Sequence, residues 1–314
     1  MSEHNNRPIR LSFNNLQAHT TGFIASLKDK QPETRGTYKR ALHEFTRWFR
    51  VDGNFRFRVE DVERYKKYLA RKKNLAAVSV STYLTALRRL CQYLVERRVL
   101  TGNPAKNVSG NRRPETHSRQ VLPAGAVEML VAGIKRDDAF GPRDYAIIRL
   151  MVDCALSAIE IVRMNVGDLA VKNDQPMLAV QGKGRWEKDQ LVPLTPEVKK
   201  ALDQYLITRG PSHPDKPMFL SAGNRTRGMR MTTRGVRVRV NGYLETAGIK
   251  KGRMRRVTPY SLRHTAAAMM ADAGASADEI KQRMRLGSLA TASIYLAQAE
   301  RKRRRGFVKS MNSP

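Results

Sequence analysis

The stretch Thr258-Pro259-Tyr260-Ser261-Leu262-Arg263-His264-Thr265 decides the reading of this chain. It leads into a helical pattern over about residues 261–273, which ends in the small-residue turn Ala271-Asp272-Ala273-Gly274-Ala275. Two more helical patterns follow, 277–285 and 290–299, and the second holds Tyr295 between the apolar Ile294 and Leu296. Alone, each feature has a bland reading: Arg263 and His264 as a pair on a helix surface, Tyr295 as a packed ring. Their order, and what precedes them, gives them a chemical one.

Upstream, helices are expected at 126–135, 142–154, 196–208 and 233–246, and short strands at 177–181, 190–193 and 218–221. Gly182-Lys183-Gly184-Arg185 lies between the first two strands and reads as a hairpin turn, which alone makes Lys183 an exposed turn residue. The first third of the chain carries four helical patterns, 13–28, 32–50, 59–73 and 79–99. Tyr38, Leu42, Phe45 and Phe49 share one face of the second; Tyr83, Leu87, Cys91 and Leu94 share one face of the fourth. Gly102-Asn103-Pro104 ends the fourth, and the polar stretch that follows reads as a linker. The expected organisation is a flexible lead (1–12), an all-α domain (13–105), a linker (106–120), a mixed domain (121–300) and a basic tail (301–314). The fold class is therefore mainly α with a small β-sheet.

The 314 residues suffice for two domains, and 41% apolar content suffices for their cores. Against 28 acidic residues stand 59 Lys and Arg, a net charge of +31. Such an excess needs a polyanion to offset its self-repulsion, and nucleic acid fits best. The basic residues recur on several N-terminal helices: Arg35, Lys39 and Arg40; Lys66 and Lys67; Lys72 and Lys73; Arg88 and Arg89. One such cluster is a solvated face; the repetition, with few acidic neighbours, reads as a surface for the backbone of double-stranded DNA. An anionic membrane is the competing partner, but no run of about 18 consecutive apolar residues is present. The opening MSEHNNRPIR also lacks the apolar core of a signal peptide. The expected location is the cytoplasm, at the nucleoid. Cys91 and Cys154 sit inside apolar helical patterns and read as buried thiols, and the six histidines make no metal-ligand spacing with them, so no metal is expected. Arg301-Lys302-Arg303-Arg304-Arg305 reads as a solvated tail or a contact with DNA backbone.

Cutting DNA without a metal requires a nucleophile for phosphorus, cations for the non-bridging oxygens, and an acid for the departing 5′ oxygen. Tyrosine suits the first role, because an aryl oxide leaves as readily as it attacks and so conserves the energy of the broken bond. Arginine suits the second through its planar fork of donors, and lysine the third.

The segment 258–265 resembles the T-P-H-x-L-R-H-T box of the tyrosine recombinases, especially the Xer-like and phage-integrase members. Residues 284–295 resemble the family's L-G-H-x-x-x-x-T-x-x-Y segment. Val180-Gln181-Gly182-Lys183-Gly184, with Lys188 and Val192-Pro193-Leu194, is similar to the hairpin that carries its lysine. The four N-terminal helices are similar to its core-binding domain, so the resemblance covers about residues 13–300. It implies that Tyr295 attacks the scissile phosphate, Arg263 clamps its oxygens, Lys183 protonates the leaving oxygen and Tyr260 donates a hydrogen bond in place of the box's first histidine. His264 is implied as a supporting residue, and Glu160 falls on the family's acidic position.

Two positions depart from the pattern. Ser157 stands where the family has its first arginine, and Leu286, in Met284-Arg285-Leu286, stands where it has the histidine of L-G-H. Losing one such preorganised donor typically costs ~10²–10³ in rate. Arg149, Arg163 and Arg285 are the arginines near enough in sequence to compensate. The resemblance implies cleavage and rejoining of DNA through a 3′-phosphotyrosine, for integration, excision or transposition of a mobile element. It implies no cofactor, a tetramer on paired sites, and a second recombinase or DNA-bending factor as a further partner. It also implies a third reading of the basic segment 301–305, docking on a neighbouring subunit. The alternative is a recombinase-derived accessory protein that binds DNA without cutting it.

Overall fold

The structure is a computed structural model that describes residues 10–110, 120–123, 125–182, 184–254 and 256–311, with main chain alone at 253 and 305–311. Lys183 and most of the expected lead and linker lie outside the described residues. The chain divides into two compact units, Met1–Arg113 and Pro114–Pro314.

The first unit is all helix: α1 (Phe13–Ser26), α2 (Pro32–Asp52), α3 (Val59–Lys67) and α4 (Ala77–Glu96). Helix α2 starts on Pro32, whose missing N–H would have gone unbonded there anyway, and stops at Gly53, whose φ of +64° suits a residue without Cβ. Its stripe of Leu42, Phe45, Trp48 and Phe49 meets Leu84, Leu87, Cys91 and Leu94 of α4 in one core. Phe45 stands edge-on to Phe55 and Tyr65, each at 5.2 Å, and Trp48 lies 4.9 Å from Tyr65. Helix α3 begins where the buried Asp61 carboxylate accepts the N–H groups of Arg56 and Arg58 at 2.8 and 3.1 Å.

The expected helix over 59–73 is not uniform, because Tyr68–Lys72 forms a wider π turn. That turn brings Tyr68 and Lys73, five residues apart, onto one carboxylate: Glu44 accepts from them at 2.8 and 3.2 Å. Arg88, expected on the DNA-facing surface, instead donates to the carbonyls of Ala105 and Val108 at 3.0 Å each and ties down the chain after α4. Lys66 and Lys73 pair with Glu63 and Glu44, whereas Arg35, Lys39, Arg40, Lys67, Lys72 and Arg89 are exposed.

The second unit holds α5 (Ala126–Ala132), α6 (Gly141–Asp153), α7 (Ala158–Arg163), β1 (Leu169–Lys172), β2 (Gln175–Val180), β3 (Gln190–Pro193), α8 (Pro196–Arg209), α9 (Thr233–Thr246), α10 (Pro259–Asp272), α11 (Ala277–Arg283) and α12 (Leu289–Met311). The strands form an antiparallel sheet in the order β1-β2-β3, with Leu178 opposite Leu169 on one side and Val192 on the other. Strand β1 escapes sequence reading because Ala170 to Lys172 show no buried alternation. The strand expected at 218–221 is only an isolated bridge between Leu220 and Arg230. Nine residues join β2 to β3, so the expected tight hairpin turn is a longer loop.

Helix α6 is the hub. Ile147, Ile148, Leu150 and Met151 are buried, and its start approaches the chain so closely that a Cβ on Gly141 would lie 1.7 Å from the Lys135 carbonyl oxygen. Its buried Asp144 pairs with Arg143 at 2.8 Å and with Arg239 of α9 at 2.6 Å. The basic run after residue 300 continues α12 as helix to Met311, with Lys302 paired to Asp272 at 2.7 Å. Cys91 and Cys154 are both buried, which pushes their thiols up to about 12. Among the described residues no helix is long and apolar enough to cross a membrane.

Candidate active site

Helix α10 carries the quoted segment. Thr258 is its N-cap in extended conformation, its N–H donates to Ser261 Oγ at 3.1 Å, and Pro259 opens the first turn. Thr265 Oγ1 accepts the Leu122 N–H at 2.9 Å, which anchors the entry of the unit to this helix. Tyr260 and His264 are four residues apart and therefore stack along one side, with ring centroids 4.8 Å apart in an edge-on arrangement. Arg263 projects to another side.

Helix α12 packs on α10 over a cluster that includes Ala266, Ala267 and Ala271 of α10, Ala292 and Ala299 of its own, and Ile280 and Met284. The small residues bring the backbones close and leave one large ring between them, Tyr295, only 2% exposed. Its hydroxyl lies 2.6 Å from His264 Nδ1. Burial pushes the Tyr295 phenol above its ordinary value, Tyr260 adds to the rise, and the Arg263 charge opposes it.

Below this pair lies a buried ionic cluster. Helix α7, which the sequence reading missed, begins at Ser157 with a capping box. The Glu160 carboxylate accepts the Ser157 N–H and hydroxyl at 2.6 and 2.7 Å. The same carboxylate takes Arg263 Nη1 at 2.6 Å and Arg285 Nε at 2.6 Å. The Ala155 carbonyl also accepts from both arginines, at 2.7 and 2.8 Å, and Arg263 Nη2 donates to the Met284 carbonyl. Burial alone would raise the Glu160 carboxyl; Arg263 and Arg285 outweigh it and hold the group below its ordinary value.

The candidates Tyr260, Arg263, His264, Glu160, Ser157 and Tyr295 thus come together around α10. Leu286 is half-buried against the alanine cluster. Of the three compensating arginines, Arg149 pairs with Asp153 at 2.9 Å and Arg163 donates to the Gly182 carbonyl at 3.1 Å. Only Arg285 reaches Glu160. It does so from a backbone φ of +52°, a left-handed conformation that costs a non-glycine residue about 1–2 kcal/mol. The one sequence signal for it is that an arginine occupies the place of glycine in the L-G-H resemblance. A cavity of about 430 Å³ opens beside it, walled by Gly182 and Arg185 of the β2–β3 loop, Gln190 of β3, and Asp278, Lys281, Arg285 and Leu286. Gly182 precedes Lys183 in the chain. No group of three or more His, Cys, Asp or Glu side chains among the described residues is arranged to hold a metal ion.

Residues 120–302 match the phage integrase family, and residues 19–100 match its N-terminal SAM-like domain. The tyrosine recombinase XerC of Leptospira interrogans is 30% identical over 250 residues, covering 78% of this chain and 76% of that protein. The XerC of Thermodesulfovibrio yellowstonii is 27% identical, covering 90% and 92%. In fold, the chain is similar to the Tn1549 transposon integrase in complex with a circular intermediate DNA, with a TM-score of 0.69 at 16% identity over 92% of this chain and 98% of that one. The XerH site-specific recombinase bound to a palindromic difH substrate gives a TM-score of 0.69 at 17% identity, over 96% and 90%. An α10 box, a terminal tyrosine and matches across both units together place the chain in the phage integrase family, the tyrosine recombinases.

Proposed function

We propose that this recombinase cleaves and rejoins duplex DNA with Tyr295 as nucleophile, and that its substrates are the ends of a mobile element. The Tyr295 hydroxyl gives its proton to His264 Nδ1, 2.6 Å away, as its oxygen attacks the scissile phosphorus; the bond to the 5′ oxygen breaks, and Lys183 supplies the proton to that oxygen. Arg263 neutralises the non-bridging oxygens and Tyr260 donates a hydrogen bond to them. His264 holds the Tyr295 hydroxyl until DNA arrives; the attack requires that hydroxyl to exchange the imidazole for phosphorus. The 5′ hydroxyl of a partner strand then attacks the phosphotyrosine and releases Tyr295. Four copies assemble on paired sites, and the exposed cations of the first unit, Arg35, Lys39, Arg40, Lys67, Lys72 and Arg89, meet DNA backbone. A second recombinase or a bending factor joins them, in the cytoplasm at the nucleoid.

The observation that carries this reading is the 2.6 Å contact between Tyr295 Oη and His264 Nδ1, one residue from Arg263 on the same helix turn. A second reading, an accessory protein that binds without cutting, is favoured by Ser157 and Leu286, which offer no cation and no polar donor where the resemblance has arginine and histidine. A nicked suicide duplex separates the two. A covalent adduct that disappears in Tyr295→Phe supports cleavage; binding with no adduct supports the accessory protein.

A further inference from the structure

We infer that Arg285 is the second phosphate-neutralising cation of this site, set on the turn between α11 and α12 rather than at the start of α7. The inference rests on the cleavage reading above.

As a phosphodiester is attacked by an oxygen nucleophile, negative charge grows on its two non-bridging oxygens, and a single guanidinium spent on a carboxylate neutralises little of it. The buried cluster would be such a spent pair if it held Arg263 and Glu160 alone, because their charges cancel. Arg285 changes the balance: two guanidiniums converge on one carboxylate and on one carbonyl, that of Ala155, so the cluster carries one net positive charge. Holding two like charges side by side in a buried setting is unfavourable unless an anion completes the set. The Arg285 side chain is itself only 4% exposed and its Nη1 also donates to the Arg283 carbonyl at 2.7 Å, yet it forms part of the wall of the cavity that Gly182, Lys281 and the acidic Asp278 also line.

The backbone points the same way. Arg285 and Ala155, which together build the second half of the cluster, are both non-glycine residues at positive φ, +52° and +51°. A glycine at 285 would carry no strain, and it would also carry no guanidinium. Strain of this kind persists only where the surrounding structure holds it in place, and it gathers at sites of function. Ser157 complements the arrangement. Its hydroxyl donates to the carboxylate that Arg285 also reaches, and it caps the start of α7.

The test uses the full chain and a nicked duplex carrying the sequence that the chain itself selects from a random-sequence pool. Adduct formation is measured on an ordinary phosphodiester and on a methylphosphonate at the scissile position, which lacks the charge a cation must neutralise. Arg285→Ala is expected to slow adduct formation about 10²–10³-fold on the phosphodiester and to approach the wild-type rate on the methylphosphonate. Arg285→Gly loses the same guanidinium but relieves the backbone strain, so it should show the same loss with a smaller fall in melting temperature than Arg285→Ala. Ser157→Arg combined with Arg285→Gly should recover part of it. Wild-type rates for Arg285→Gly on the phosphodiester, or an equal deficit of Arg285→Ala on both substrates, overturn the inference. If the wild type forms no adduct, or Tyr295→Phe still forms one, the cleavage reading fails and takes the inference with it.

Discussion

Two tyrosines of this chain are buried to nearly the same degree, Tyr65 at 0% and Tyr295 at 2% exposure, and burial pushes both phenols above their ordinary value. Their surroundings differ in every other respect. Tyr65 sits among Phe45, Trp48 and Tyr68, and its hydroxyl has no hydrogen-bond partner among the described residues. Tyr295 sits among alanines and the aliphatic Ile280 and Met284, with its hydroxyl on an imidazole and a charged cluster near by. Rings interlocked with rings make a core in which any motion of one disturbs several others. A ring among aliphatic side chains, with His264 the nearest aromatic partner at 5.7 Å, disturbs fewer rings when it leaves. Burial therefore does not separate the proposed nucleophile from a structural ring; the polar neighbour of its hydroxyl does.

The sharpest way to break this comparison is to remove each hydroxyl. Tyr295→Phe should abolish covalent adduct on a nicked duplex, whereas Tyr65→Phe should leave it unchanged. Because the Tyr65 hydroxyl is buried without a partner, its removal should leave the melting temperature level or raise it, by up to about 1 kcal/mol of stability. Equal loss of adduct in both variants would mean that the phenol of Tyr295 contributes only packing.

The charged cluster beneath Tyr295 offers the next test. Glu160→Gln leaves two guanidiniums on a neutral amide and should cost about 3–5 kcal/mol at neutral pH. The sign with pH follows from the lowered Glu160 carboxyl. Its contribution is complete above the ordinary carboxylate value of 4.5 and fades as pH falls through the lower folded value. Acid melting curves of the wild type should therefore converge on those of Glu160→Gln, and parallel curves would contradict the assignment. The smallest effect belongs to Ser157→Ala, which removes a helix cap and should cost about 1 kcal/mol in thermal melting with adduct formation intact.

How much of this was legible in the sequence depends on what each feature is made of. Helix α9 and strand β3 fall where their patterns put them, because apolar spacing and flanking turn residues act locally. Residues 258–265 were legible for a different reason: Arg263, His264 and Tyr260 need only one helix to stand in order. Helix α7 was missed because six residues give too little periodicity, and its cap, Ser157, was visible only as a missing arginine. The place of Arg285 was illegible because it depends on a left-handed backbone and on the direction of a long side chain across 125 positions of sequence, neither of which periodicity encodes. Arg88 was misread because a basic residue on a helix looks the same whether it faces DNA or a carbonyl.

The two buried thiols have a practical consequence. Cys91 and Cys154 are the chain's only cysteines, and with both shielded and held as neutral thiols the native surface is mute toward maleimide dyes. A single Leu289→Cys, at a residue 41% exposed at the head of α12, would give one reactive handle on the native background. A fluorophore there could time, in single molecules, when the helix bearing Tyr295 lets go.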